Sequence, residues 1–238
     1  MFSRTVTDYW FPGDANRNAG ELGAHQIVVD DTLPADRSLM LLEPVGRSGM
    51  LYATSATIQR LGLTGQTEIE SRALARAVAS AHVTLNGADH LFYLPVEERT
   101  ATRSQRVTPV TRQLGEADAD VFGVLCTEAP KEDLDEAFVE LGHWLVFGTF
   151  VGDRLAAVAS AYPWRGTRFA DLGVVTLPGF RGRGCARATV QALSAAALEQ
   201  GYEPQYRCQL RNAPSVALAR SAGFQRFGTW DVIDDPAD

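Results

Sequence analysis

Two arginines and three glycines crowd into the ten residues Leu177-Pro-Gly-Phe-Arg-Gly-Arg-Gly-Cys-Ala186, and these residue types at this spacing bind anions. An apolar run from Leu172 to Leu177 ends at Pro178, and an Ala/Leu-rich helical pattern starts directly after the glycines. The first turn of a helix holds N–H groups without intrahelical partners, and the helix dipole adds partial positive charge there. Gly182 and Gly184 lack a Cβ, so a phosphate can approach the backbone, and both tolerate positive φ. Arg181 and Arg183 add charges whose geometry suits phosphate oxygens. No Lys-Ser/Thr pair follows the glycines, so the turn is not a Walker A loop. The order Gly179-x-x-Gly182-x-Gly184 is not the dinucleotide fingerprint either.

The elements around the turn give it a context. After it, Ala186, Val190, Leu193 and Ala197 recur at helical steps, and Gly201 is a plausible stop. In Gln205–Arg211 the residues Tyr206, Cys208 and Leu210 alternate with polar ones, the period of a strand with one buried face. Asn212-Ala-Pro-Ser215 then opens a second helix, with Asn212 as N-cap, and Ala222-Gly223-Phe224 closes it. A final strand is predicted from Phe224 to Ile233.

This segment resembles the GNAT superfamily of N-acetyltransferases. The family's acyl-CoA loop, Gln/Arg-x-x-Gly-x-Gly/Ala, reads here Arg181-Gly182-Arg183-Gly184-Cys185-Ala186. Its later signature, Asn-x-x-Ser followed by a short helix and Gly-Phe, is met by Asn212, Ser215, Gly223 and Phe224. The two motifs lie about 30 residues apart, the length of a helix plus a strand. The resemblance covers roughly 107–233. It implies a mixed, mostly antiparallel α/β (α+β) sheet flanked by helices, with acetyl-CoA as co-substrate and no metal. It also implies a strand that splays from its neighbour and offers backbone N–H groups to the pantetheine arm. Here those are the amides of Val175, Thr176 and Leu177. Arg181, Gly182, Arg183, Gly184, Cys185 and Ala186 then form the phosphate cradle, and Asn212 and Ser215 are shared between capping and cofactor contact. Many family members carry a tyrosine four residues before the final glycine as thiolate proton donor; Ala219 stands there and cannot donate a proton.

An acyl transfer to an amine also needs a group to take the ammonium's proton. Glu136 and Glu140 stand four apart on an acidic helix predicted over Lys131–Leu141, in a region that lines the acceptor pocket in the family. Glu140 is the candidate base, directly or through water. His143, Asp171 and Tyr162 are read as structural: an edge residue, a strand start and a packed ring. The readings weighed are therefore an acyl-CoA-dependent N-acetyltransferase acting in a ternary complex, a GNAT-like sensor that binds acyl-CoA with little turnover, and an O-acyltransferase or a transferase for longer acyl chains; RNA binding through Arg-Gly-Arg-Gly is disfavoured.

The chain has 238 residues, a formal charge of −7 and 45% hydrophobic residues, enough for a sizeable core. Its acidic balance disfavours a nucleic-acid partner. No apolar run approaches the ~18 residues of a membrane span, and the first residues lack the apolar core of a secretory signal. Three cysteines without metal spacing fit reduced thiols and a cytoplasmic location. The expected partner is a small-molecule or peptide amine, with a homodimer left open. Two regions are expected, 1–106 and 107–238. The first is a smaller α+β part, with strands at Ser38–Pro44 and His90–Leu94 and a helix at Thr67–Ser80, compatible with a partial copy of the same fold. A polar linker is expected over Val96–Arg106. The second has the order β-α-α-β-β-β-α-β-α-β, beginning with a strand at Val107–Leu114.

Overall fold

A computed structural model describes residues 1–12, 22–103, 110–164 and 166–234. The chain forms two compact units, each built from several stretches. One comprises Met1–Val6, Phe92–Arg207 and Asn212–Gln225; the other comprises Thr7–Leu91, Cys208–Arg211 and Arg226–Asp238.

The elements in chain order are α1 (Arg4–Trp10), β1 (Ala24–Val29), β2 (Leu39–Pro44), β3 (Gly49–Ala53), α2 (Ser55–Arg60), β4 (Glu68–Glu70), α3 (Ser71–Ser80), β5 (Asp89–Tyr93) and α4 (Val96–Arg103). They continue with β6 (Thr111–Gln113), α5 (Ala119–Glu128), α6 (Lys131–Ala137), β7 (Leu145–Val151), β8 (Arg154–Pro163) and β9 (Phe169–Thr176). The last are α7 (Cys185–Glu199), β10 (Glu203–Gln209), α8 (Ala213–Ser221) and β11 (Gln225–Val232). From β6 onward this is the order expected from the sequence. The expected strand from Val107 begins among residues that lie outside the described ones; the described part is β6.

In the unit that holds the glycine-arginine loop, the strands run β5-β10-β9-β8-β7-β6. Strands β6 to β9 pair antiparallel and β10 joins β9 in parallel, so this sheet is mixed and mostly antiparallel. Helix α7 lies against β6–β9 on one face, and α5 and α6 lie against β8 and β9. Strand alternation explains the division. Val158, Val175 and Leu177 pack with Leu125, Val139 and Leu134 under α5 and α6. On the opposite face Ala157 packs with Cys185, the first residue of α7. Alanines at 156, 157, 159 and 161 are fully buried. Their small side chains let the Ala-rich α7 sit close to the strands. Thr149 and Thr189 join hydroxyls there at 2.7 Å, and Thr189 donates to the Cys185 carbonyl at 2.9 Å, so these buried polar atoms are satisfied.

Three expectations need correction. Val96–Arg103 is helix α4, not a linker. Glu97 and Glu98 favour its first turn, and the amino terminus binds Glu97 at 2.6 Å. The helix predicted from Thr67 starts at Ser71, because Glu68-Ile-Glu70 alternates and pairs with β1 as β4. Helix α6 stops at Ala137, not Leu141, with Phe138 capping it at a left-handed φ of 46°.

The other unit orders its strands β4-β1-β3-β2-β11. Strands β1 and β3 are parallel, and the remaining pairs are antiparallel. Leu39, Leu51, Ile58, Leu74 and Ile233 form its core beneath α2 and α3. The sequence showed β2, β5 and most of α3; it did not show β1, β3 or α2, whose runs are short and lack clean periodicity. Leu51→Ala removes a fully buried side chain and is expected to cost about 2–5 kcal/mol. Urea unfolding checks this, and an unchanged midpoint would show that the cluster is not close-packed.

Candidate functional site

Strands β9 and β10 pair only from Phe169–Glu203 to Leu172–Tyr206. Beyond that rung β9 continues to Thr176 and β10 to Gln209 without a common ladder. The sheet therefore forks. Strand β8 stays paired with β9 as far as Thr176, opposite Ala157, so β9 keeps one satisfied edge and presents the other to the gap. Leu177 donates its N–H to Ala156 at 3.0 Å. Alternation then directs the amides of Val175 and Gly173 to β8, and those of Val174 and Thr176 to the gap. Of the three amides expected on a pantetheine arm, Thr176 faces the opening, while Val175 and Leu177 point to β8. Val174 is the other amide turned to the gap, a parity the sequence could not reveal because it depends on register.

The loop after β9 delivers the anion-site geometry. Gly182 and Gly184 have φ of 75° and 81°, and Gly184 is the N-cap of α7. A Cβ at Gly182 would find nothing within 4 Å, and at Gly184 only the end of Arg187 at 3.9 Å. Space is thus left in front of the first-turn amides of Cys185, Ala186 and Arg187. Fifteen residues of helix point their positive end into that space. Cys185 itself is buried against Ala156, Ala157 and Phe180, which makes its thiol a packing group. Arg183 lies over the Phe180 ring with its guanidinium 5.4 Å from the centroid. Arg181 donates to the Thr176 carbonyl at 3.4 Å and forms an ion pair with Asp133 of α6.

Asn212 caps α8. Its Oδ1 accepts from the Ser215 amide at 3.1 Å, and its Nδ2 donates to Glu136 at 3.1 Å. Ser215 is half-buried in that first turn.

Below the fork, on the face covered by α5 and α6, a buried polar network crosses four strands. Asp171 on β9 accepts from Gln205 on β10 at 3.0 Å, from Arg207 Nε at 3.0 Å and Nη2 at 2.6 Å, and from Tyr162 on β8 at 3.0 Å. Tyr93 donates to Gln205. Burial, reinforced by the Asp171 charge, pushes the Tyr162 phenol up to about 12, so it stays an O–H donor at neutral pH. The Ala137 carbonyl sits against Gly173, where a Cβ would overlap the carbonyl oxygen. Glycine at 173 is therefore what lets the end of α6 lie over the mouth of the fork.

Beside that mouth, Phe138, His143 and Tyr162 form mutual edge and tilted ring contacts, 5.0 to 5.7 Å between centroids. His143 Nδ1 is 2.8 Å from the Ser160 hydroxyl, and its Nε2 is 3.6 Å from the Glu140 carboxylate. Ser160 pairs with Gly173, the first rung of the opened stretch. Burial lowers the His143 pKa below the usual histidine value, with Glu140 opposing the shift. Glu140 has left the helix and its side chain is 59% exposed. The sequence reading treated His143, Asp171 and Tyr162 as structural. The structure gathers all three on one face by the fork, through pairing across 30 residues that no local pattern displays.

Ala219, where a tyrosine was expected in the family, is fully buried. Among the described residues no group of three His, Cys, Asp or Glu side chains could hold a metal ion, and no helix is long and apolar enough to cross a membrane.

The sequence model of the GNAT acetyltransferase family matches residues 95–233. The chain belongs to the GNAT acetyltransferase family. Membership implies acyl transfer from acyl-CoA. No curated protein matches the chain. Among solved structures, it is similar to a GNAT-family acetyltransferase from Colwellia psychrerythraea (17% identity, 63% of this chain and 57% of that one, TM-score 0.48). It is similar to a GCN5-related N-acetyltransferase-like protein from Streptococcus suis 89/1591 (14% identity, 97% of both chains, TM-score 0.47). A GCN5-related N-acetyltransferase from Sphaerobacter thermophilus is a third (14% identity, 69% and 56%, TM-score 0.45). The chain spans a little over half the length of the first and third of these.

Ala219→Tyr, which would restore the family's hydroxyl, would force a ring into closed packing. It is expected to destabilise by about 1–3 kcal/mol; thermal unfolding tests this, and an unaltered transition would mean that the site has room for a ring.

Proposed function

We propose that this GNAT member is an N-acetyltransferase that moves an acetyl group from acetyl-CoA to a primary amine by direct attack in a ternary complex. The fork between β9 and β10, opening beside a helix-start anion loop, is the observation that supports it. The open space at Gly182 and Gly184 fits a pyrophosphate. The amides of Cys185 and Ala186, with the charges of Arg181 and Arg183, are the groups that would bind it. The amides of Val174 and Thr176 would pair with the pantetheine arm and donate hydrogen bonds near the acyl carbonyl. Acetyl-CoA, when bound, supplies an electrophilic thioester carbonyl.

The chain's own task at the acceptor is to hold a neutral amine and remove a proton. His143 suits this better than Glu140 alone. Its lowered pKa leaves the imidazole neutral, Ser160 fixes the ring at Nδ1, and Nε2 is turned toward Glu140 and the exposed side. Glu140 would then favour the imidazolium that forms. Tyr162, protonated throughout the neutral range, adds a hydroxyl on the same face. The acceptor is a small molecule or a peptide amine, and the exposed carboxylate of Glu140 suits one that arrives as a cation. The second reading, an acyl-CoA sensor, is favoured by the burial of Ala219 alone.

Free-thiol release from acetyl-CoA against a panel of amines tests the proposal, since CoA binding without release for any amine would support the sensor. Gly184→Glu places a carboxylate where the phosphates would lie and strains a φ of 81°. It is expected to abolish CoA binding in calorimetry, and unchanged affinity would count against the cradle. His143→Gln is expected to lower turnover about 10²–10⁴-fold with CoA affinity intact. In the parent chain the acidic limb of kcat/KM is expected below the usual histidine pKa of about 6.5, because the neutral base persists to lower pH. A limb that stays in place in His143→Gln would assign the base elsewhere.

A further inference from the structure

Helix α6 touches both arms of the fork through side chains that the proposed cofactor site also needs. Asp133 pairs with Arg181, in the loop that follows β9. One turn on, Glu136 accepts from Nδ2 of Asn212, the residue that opens α8 after β10. At the end of the same helix the Ala137 carbonyl rests on Gly173, the first residue of β9 past the last shared rung. The helix is thus tied to one arm, to the other, and to the floor between them. Immediately beyond it come Phe138, Glu140 and His143, the side chains on the acceptor side.

We infer that Asp133 and Glu136 are positioning residues that stand in for the anionic cofactor. They hold Arg181 and Asn212 while the fork is empty and release them when acyl-CoA arrives, so that occupation of the cofactor site is transmitted to the acceptor side through α6. The inference rests on the acyl-CoA reading given above. The physical basis is competition for the same donors. The guanidinium of Arg181 can bind a carboxylate or a phosphate in the same geometry, and a pyrophosphate displaces a lone carboxylate there by charge. The exchange is inexpensive, because both partners of the Asp133–Arg181 pair are substantially exposed, at 38% and 52%, and such pairs hold weakly. Loss of these ties loosens a seven-residue helix whose other contacts include the packing of Leu134 and Ala137 and the Ala137 carbonyl on Gly173, and with it the left-handed turn at Phe138 that leads to Glu140 and His143.

The test uses CoA itself as probe, in calorimetry with the full chain. Asp133→Asn, which removes one weak competing ion pair, and Glu136→Ala, which removes the acceptor for Asn212, are expected to bind CoA about two- to five-fold more tightly than the parent. Glu132→Gln, which removes the same charge from the same turn of α6, serves as control and is expected to leave affinity unchanged. Amide exchange supplies the second readout: CoA is expected to speed exchange across 133–137 in the parent chain and to leave the already faster exchange of Asp133→Asn unaltered. Equal gains in all three variants would reduce the effect to general repulsion and overturn the latch, as would a loss of affinity in Asp133→Asn or slowed exchange in α6 on binding. If the parent chain shows no CoA binding at all, the acyl-CoA reading falls and takes this inference with it, whereas binding without the differences described removes the inference alone.

Discussion

Everything at the site depends on where two parallel strands stop pairing, and a single buried carboxylate fixes that place. Asp171 lies one rung before the last shared pair of β9 and β10 and draws in Gln205 and Arg207 from β10 and Tyr162 from β8. A charge so buried is tolerable only because every neighbour is a donor. The clamp holds the strands together up to Leu172 and Tyr206, and beyond it the ladder ends. Arg207 is the first β10 residue past the shared rungs, and its side chain reaches back to Asp171, leaving the gap beside Gly173 and Val174 to other occupants.

The two faces of this sheet divide the labour by side-chain size. Alanines on β8 admit α7 closely, which sets the start of that helix at the end of β9 and aims its free amides at the space in front of Gly182 and Gly184. On the other face, valines under α5 give way toward the fork to Ser160, Tyr162, Asp171 and the ring of His143. On β9 the amides turned to the gap, at Val174 and Thr176, and the side chains turned to α5 and α6, at Asp171 and Val175, therefore alternate along one strand. That economy explains why so short a stretch, from Asp171 to Ala186, carries most of the groups proposed for acyl-CoA, while the proposed base lies before β7.

Much of this was legible in the sequence, and the reason is locality. The strand, turn and helix around Arg181–Ala186 are written in neighbouring residues, as are the Asn212 cap and the Gly223 stop, and the element order from β6 onward follows from periodicity. Register is not local. Whether Val175 or Val174 turns its amide to the gap depends on the pairing of Leu177 with Ala156, and the gathering of His143, Ser160 and Asp171 depends on three strands meeting. The early end of α6 was missed because Phe138 takes a left-handed conformation rare for an aromatic residue. Helix α4, which lies against α7, was missed because its polar composition carries no apolar stripe.

The forked sheet has a thermodynamic consequence for the whole molecule. The unpaired amides of β9 are an edge strand turned inward, and a ligand that completes the ladder binds the native chain and not the unfolded one. Folding is then linked to that ligand by mass action, so the chain's lifetime against heat and proteases becomes a gauge of how much of its own co-substrate surrounds it.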